Sequence, residues 1–426
     1  MKARIGNATR ETFRSMHVRN FRLFFGGQLI SQVGNWLTLV AQTLLVLELT
    51  HNGTQLGLLA AAQFGPVLIL GPWAGLIADR SDKRRLLLVI QTIAMCQSFT
   101  LAALAFTGHP PVLSIYLVAM VGGVTVAFDN PTRRSFVVEM VDADDMQNAV
   151  SLNSALMTSS RIFGPALAGL LVYTAGFGWA FLSDGLSYLA VLWALWVMRT
   201  EELHPAPVTP REKGQVRGGL QYALGVPELW VPLAMMAIVG TLSYNFQTVF
   251  PLFATRDLHG TGTTFTLLFS TVSVGALFGA LRVARRKSID IRTVAMASLW
   301  YGVAMAVMTF MPNQPLAFAV GLFLGVASVS FIVSSTAIVQ IEAAPEMRGR
   351  VLALQAMLFL GSTPIGGPIV GWISQQFGAR YGIGVGAVAA LAAGAWGLMM
   401  ARRRNAAVAT TAGLGIAADV DAELAR

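Results

Sequence analysis

Gly75-Leu76-Ile77-Ala78-Asp79-Arg80-Ser81-Asp82-Lys83-Arg84-Arg85-Leu86-Leu87 joins two long apolar runs through a short, strongly charged turn. Gly75, near the end of the first run, lets another helix approach closely. Asp79, four residues on, can accept hydrogen bonds from a neighbouring helix N-terminus and favour its positive end. Arg80, Lys83, Arg84 and Arg85 hold the turn on the cytoplasmic side of a membrane. The stretch therefore reads as the tip of a helical hairpin that crosses a bilayer twice.

The same pattern extends in both directions. Apolar stretches run at roughly 21–48, 54–79, 86–107, 112–137, 148–173, 177–198, 229–254, 263–284, 291–311, 315–341, 351–376 and 381–401, each with the ~20 residues a crossing needs. Asn52-Gly53, Gly108-His109-Pro110-Pro111, Pro312-Asn313 and Gly378 punctuate them. The whole chain of 426 residues is 55% hydrophobic and 12% charged, with a mean hydropathy of +0.62. A soluble domain carries roughly a quarter charged residues, so an ordinary cytosolic enzyme is excluded, and no loop is long enough for a separate catalytic domain.

The formal charge of +9 has a topological origin. When loops are assigned to alternate sides, 27 of the 30 basic residues fall in the tails and even-numbered loops. Arg256 and Arg380 lie on the other side, and Arg161 lies within a crossing. This bias places both termini in the cytoplasm, requires an even number of crossings and removes the need for a nucleic-acid partner. The N-terminal Lys2, Arg4, Arg10, Arg14, Arg19 and Arg22 superficially resemble a transit peptide. They read better as an amphipathic lead-in, because no small-residue cleavage site follows.

The longest polar interruption, Arg199 to Pro227, separates six crossings from six. The expected organisation is an N-tail over 1–20, a six-helix bundle over 21–198, a linker over 199–228, a second bundle over 229–401 and a C-tail over 402–426. An offset of 202 aligns Gly164 with Gly366 and Gly169 with Gly371, and an offset of 204 aligns Gly75 with Gly279. These landmarks favour an all-α membrane protein of twelve transmembrane helices in two six-helix repeats, with a substrate cavity between halves that rock.

The Gly75 to Leu87 loop resembles the signature loop of the major facilitator superfamily, with Gly75, Asp79, Arg80, Lys83 and Arg84 as its gating residues; Asp82 stands where that family often has a second glycine. Ser160-Arg161-Ile162-Phe163-Gly164-Pro165-Ala166-Leu167-Ala168-Gly169 is similar to the glycine-proline motif of its exporters, with Ser160 and Ala168 in place of glycines. Gly164, Pro165 and Gly169 suit a loosened helix packed tightly on a partner. The segments Phe128 to Val141, Asn148 to Ser154 and Glu342 to Val351 resemble the transmembrane secretion effector branch, which includes enterobactin-exporter-like and macrolide-efflux-like proteins.

Ionisable groups at membrane depth are costly and face protein or water. Asp129, with Arg133 one turn on, reads either as a proton or substrate site or as a structural pair. Arg161 and Asp184 are expected to neutralise each other within the membrane as a structural pair, with substrate binding or proton relay as the other reading. Glu342 is expected to contact Arg348 or Arg350. Gln28, Ser31, Gln32 and Asn35 share one helical face and, with Tyr244, Asn245 and Gln247, are candidates for the substrate cavity, hydrogen bonding between helices being the other reading. Asn35 stands where relatives often carry an acid, and its amide does not titrate. Trp36, Phe64, Trp73, Phe246, Phe250, Met305, Met308 and Phe331 are candidates for an apolar pocket, although such residues more often serve as ordinary packing. Arg402-Arg403-Arg404 reads as a stop at the anionic leaflet.

No enzyme chemistry is expected. The five histidines, His17, His51, His109, His204 and His259, lie in tails or loops, and the single Cys96 can form neither an intramolecular disulfide nor a metal cluster. Neither a cofactor nor a metal is expected, and no phosphate-cradling Gly-x-x-x-x-Gly-Lys-Ser/Thr segment is present for ATP-driven pumping. The resemblance implies secondary active transport in the plasma membrane by alternating access: proton-driven efflux of a small amphipathic drug-like compound, siderophore or other metabolite. Small-molecule substrate, protons and lipid are the expected partners, with no obligate protein partner. Proton-coupled uptake and a non-transporting membrane sensor of the same fold are the alternatives. Tags at residues 1, 212 and 426 should be cytoplasmic and one inserted after Asn52 external; external labelling at 212 would overturn the division of six and six.

Overall fold

A computed structural model describes residues 13–204, 215–286 and 288–424. The start of the N-tail and the middle of the polar linker lie outside the described residues. Twelve helical spans are long and apolar enough to cross a membrane. They are α1 Arg19–Thr50, α2 Gly53–Arg80, α3 Lys83–Phe106, α4 Val112–Glu139, α5 Ala143–Ala175 and α6 Phe177–Val197, followed by α7 Pro227–Asp257, α8 Gly262–Ala284, α9 Ile291–Thr309, α10 Gln314–Glu342, α11 Pro345–Phe377 and α12 Ala379–Leu424. A short helix, Gln215–Leu224, precedes α7.

Helix ends follow local chemistry. Asn52, Asp82, Asp290 and Asn313 accept hydrogen bonds from the first turns of α2, α3, α9 and α10. Gly108, Gly176 and Gly378 occupy positive φ at turns that other residues rarely adopt. Two spans are broken. In α11 the break at Gly361-Ser362 precedes Pro364, whose ring disfavours the carbonyl four residues back. In α7 the helix stops at Leu242 and resumes at Phe246. There the Asn245 side-chain amide donates to the Thr241 carbonyl at 2.7 Å, and Tyr301 donates to the Ser243 carbonyl at 2.9 Å. Side chains thus replace missing backbone bonds where no water of the hydrocarbon region could.

Each half is a bundle of six. In the first, α1 packs on α5 and α6, α2 on α4, and α3 on α6; in the second, α8 packs on α10 and α9 on α12. The halves meet through α2 against α11 and α5 against α8. The repeat read from the glycines is visible as equivalent contacts. Gly164 of α5 lies against Trp36 of α1, and Gly366 of α11 against the Thr241 carbonyl of α7. Gly169 lies against Thr266 of α8, and Gly371 against the Gly53 carbonyl of α2. The third alignment has no such equivalence: Gly279 is pressed against Val326, whereas nothing lies within 4 Å of a side chain at Gly75.

The two faces of the molecule differ. One, here the basic face, carries the α2–α3 turn with Arg80 to Arg85; the far face carries the α1–α2, α7–α8 and α11–α12 turns. Along the far half of the seam the backbones of α2 and α11 touch: a Cβ on Gly53 would meet the Gly371 carbonyl at 2.8 Å, and one on Gly57 the Pro368 Cα at 2.7 Å. Toward the basic face Gly65, Gly71 and Gly75 of α2 and Gly349 of α11 have nothing within 4 Å. The halves are closed at the far face and splayed at the basic one. In a Cys96→Ala background, Gly57→Val should pry the far seam apart, so that a cysteine at Ala60, 4% exposed, reacts with a hydrophilic maleimide that does not reach it in the parent. Equal reactivity in both would show that the glycine contact does not hold the seam.

Candidate functional site

The α1 face read from the sequence exists, but it turns inward within the first bundle. Gln28 and Ser31 are almost fully buried and Gln32 is 8% exposed. Gln32 donates to Gln28 at 3.2 Å, and the Gln28 carbonyl oxygen also accepts from Arg133 of α4 at 3.3 Å. Arg133 pairs with Asp129 at 2.5 Å and reaches Asn130 at 3.2 Å, while Gln91 of α3 donates to Asp129 at 2.7 Å. The i,i+4 spacing on α4 explains the pair, and helices α1, α3 and α4 supply its remaining donors and acceptors. Asp129, Gln91, Gln32, Ser31 and Asn35 line a narrow crevice of about 70 Å³ inside the bundle, which continues to Gln42 and Gln63, themselves joined at 2.8 Å.

Asp184 and Arg161 do not form the expected pair. Asp184 is completely buried, and its carboxylate accepts from Thr38 at 2.5 Å, Ser98 at 2.7 Å and Ser187 at 3.4 Å. No cation lies within ion-pair distance of it among the described residues. Gly34 of α1 presses directly on this carboxylate and Ser187, leaving no room for a side chain. Arg161 instead holds its guanidinium 5.9 Å from the Trp36 ring. Trp36 and Thr38 are two positions apart on α1, so their side chains leave nearly opposite faces of the helix. The body of α1 separates the two charges, which helix depth alone could not reveal.

The signature loop divides its work. Lys83 is buried and pairs with Glu139, at the end of α4, at 2.6 Å. Arg84 donates to the Leu195 carbonyl at 2.7 Å and the Trp196 carbonyl at 3.2 Å, closing the last turn of α6. Asp82 caps α3 through the Arg85 amide at 3.0 Å. Asp79 and Arg80 are exposed and make no hydrogen bond or ion pair among the described residues. The Lys83–Glu139 pair went unseen in the sequence because its partners sit on different turns; a basic residue in a short charged loop gives no signal of burial. Glu342 is exposed and forms no pair with Arg348 or Arg350.

The second bundle supplies aromatic surface. Tyr244, in the break of α7, has ring neighbours Phe359 at 5.0 Å, Tyr301 at 5.1 Å and Phe246 at 5.7 Å, and its hydroxyl donates to the Ser328 carbonyl. Across the seam Trp36 stands 5.7 Å from Phe269 of α8. Asn245 is tied to the α7 break and is buried, while Gln247 is half-buried. Phe250, Met305, Met308 and Phe331 are core residues, not pocket lining. The candidate site is thus a polar, charged network inside one bundle beside an aromatic-walled seam between the two.

The transmembrane secretion effector family description matches residues 11–421, nearly the whole chain. The chain belongs to this family. It is accordingly a multi-pass membrane transporter of the major facilitator type, not an enzyme. It is 23% identical over 369 residues to a staphyloferrin A transporter of Staphylococcus aureus, covering 84% of this chain and 90% of that relative. It is 25% identical over 365 residues to a multidrug efflux pump of Mycolicibacterium fortuitum, covering 82% and 88%. The fold matches the solved structure of a bacterial homologue of the human lysosomal transporter Spinster, in an inward-facing and occupied conformation, with a TM-score of 0.72 over 92% of this chain and 97% of that one at 14% identity.

Because α1 stands between Arg161 and Asp184, the thermal-stability losses of Arg161→Met and Asp184→Leu should add in the double variant to within about 0.5 kcal/mol, as for independent sites. A double variant clearly more stable than the sum would restore the direct pair.

Proposed function

We propose that this protein exports small amphipathic molecules across the plasma membrane in exchange for protons. The basic face is cytoplasmic in this reading, so the described conformation is open inward and ready to load. Efflux relatives support the direction, and the glycine-proline motif of α5 packs tightly, Gly164 on Trp36 of α1 within the bundle and Gly169 on Thr266 of α8 across the closed far seam.

The observation that carries the proton coupling is the Asp129 site. This carboxylate is 8% exposed within a membrane-spanning bundle, and its charge is balanced by Arg133 at 2.5 Å. A buried carboxylate that loses its cation is strongly disfavoured, by about 3 to 5 kcal/mol for a broken pair. Taking up a proton relieves that cost. Arg133 also reaches Gln28, Asn130 and Met157, so it has alternative partners when helices shift. A cycle that separates Arg133 from Asp129 in the outward conformation would load a proton there and release it when the pair re-forms inward. Asp79, without a partner among the described residues in the open state, would then bind the N-terminal end of α11 near Val351 to latch the basic face shut, with a charge-assisted hydrogen bond worth about 1.5 to 3 kcal/mol. Lys83 and Arg84 hold the α2–α3 turn in the shape this requires. Single chains suffice for this cycle, and no protein partner is invoked.

Purified protein in liposomes carrying Asp129→Asn should still bind substrate and equilibrate it, yet lose accumulation driven by an imposed proton gradient, while the parent accumulates substrate in inside-out vesicles. Intact proton-driven accumulation by the variant would leave Asp129–Arg133 as a purely structural pair. Accumulation by the parent in the opposite direction would replace export with uptake, and binding without movement would make the protein a sensor.

A further inference from the structure

Among the described residues, Arg161 is the one charge in the middle of the membrane whose presence the fold does not explain. Its side chain is exposed, and it lies beside Trp36 of α1, whose ring in turn stands 5.7 Å from Phe269 of α8 in the other bundle. An exposed group flanked by both bundles faces the opening between them; one on the lipid-facing surface would have neighbours from its own bundle alone. Its described neighbours of note are the Trp36 ring at 5.9 Å and, near it across the seam, Tyr244. Trp36 belongs to the first bundle and Tyr244 to the second, so the guanidinium sits at the seam where the halves part.

Among the described residues none accepts a hydrogen bond from its five N–H groups, and no carboxylate pairs with it. The acids that could have done so are committed elsewhere or distant. Asp129 is held by Arg133 and Gln91, and Asp184 lies behind α1, satisfied by Thr38, Ser98 and Ser187. Asp145 pairs with Arg14 at 2.6 Å, and Asp257 with Arg380 at 3.1 Å. Glu48 lies near the far end of α1, more than two turns beyond Trp36. A cation at membrane depth with no counter-ion is costly and marks a ligand or ion path. Its planar fork matches a carboxylate or similar oxyanion, and its aromatic neighbours match an adjoining apolar ring.

We propose that Arg161 binds the acidic group of the transported molecule, so that the cargo is an anionic amphipath whose apolar part lies between Trp36 of the first bundle and the Tyr244 cluster of the second. The proposal deepens the transporter reading and rests on it. Because the guanidinium and the aromatic walls come from both halves, an occupied site draws them together, and the cargo's own charge supplies the missing counter-ion. Cations and neutral amphipaths would meet the same walls without that charge complement.

The test uses a matched set of probes, 2-naphthoate, 2-naphthylmethylammonium and 2-naphthylmethanol, with binding to the purified full chain and uptake into proteoliposomes both measured. The parent should bind and move 2-naphthoate in preference to the other two. Arg161→Gln should weaken 2-naphthoate at least about tenfold, as expected for one lost charge-assisted contact, and leave the weak binding of 2-naphthylmethanol unchanged; Arg161→Lys should restore part of the loss. Unchanged thermal stability of Arg161→Gln separates lost binding from lost folding. Equal or stronger binding of the ammonium probe, or 2-naphthoate affinity that survives Arg161→Gln, would overturn the anion site while transport itself stands. Binding without movement of any probe would instead remove the transporter reading, and silence from all three would count against both.

Discussion

The backbone contact between α2 and α11 at the far face is what the rest of the arrangement depends on. Gly53 and Gly57 meet Gly367 and Gly371 with no side chains between them, so the two bundles touch at one end and diverge toward the other. Inside a bilayer the hydrophobic effect gives helices no reason to prefer each other over lipid tails; close packing of small residues does. A seam of this kind closes tightly and opens without breaking buried ion pairs. Gly169 against Thr266 provides a second contact of the same sort between α5 and α8.

With the halves meeting most closely toward the far end, polar groups sort by which side of α1 they occupy. Gln28, Ser31 and Gln32 face the interior of the first bundle and, with Gln91, build the surroundings of Asp129 and Arg133. Thr38, further along, satisfies Asp184 against α3 and α6. Trp36 faces the seam and carries Arg161. One helix therefore separates three environments: a balanced pair in a narrow crevice, a carboxylate held by hydroxyls, and a lone cation in the opening. Each is fully accounted for by neighbours except the last. That asymmetry, rather than the number of charges, is what singles out Arg161 as the proposed binding group.

Much of the fold was legible in the sequence because the bilayer imposes it. Twelve apolar runs, basic loops on alternate sides and breakers between runs follow from hydrocarbon thickness and the cost of exposed backbone, and the helices appear within a few residues of where those rules place them, with longer α5, α11 and α12. The glycine alignments at an offset of 202 were legible because a glycine held in close contact has no tolerance for a side chain, and the two halves reuse the same contacts. The Asp129–Arg133 pair was legible for a local reason, since i,i+4 neighbours on one helix meet without help from the rest of the fold.

Contacts between helices were not legible in the same way. The sequence alone determined that the chain crosses a membrane twelve times, that it repeats, and that Asp129 and Arg133 share a turn. Only the tertiary structure decided that Lys83 is buried against Glu139, that the α1 amides face inward, and that α1 comes between Arg161 and Asp184. The reason is geometric: hydrophobicity fixes how deep a residue lies along the membrane normal, whereas its partner is set by helix rotation and by which helix stands next to it. Those are fixed by side-chain packing summed over the whole bundle, and no single stretch of sequence contains them.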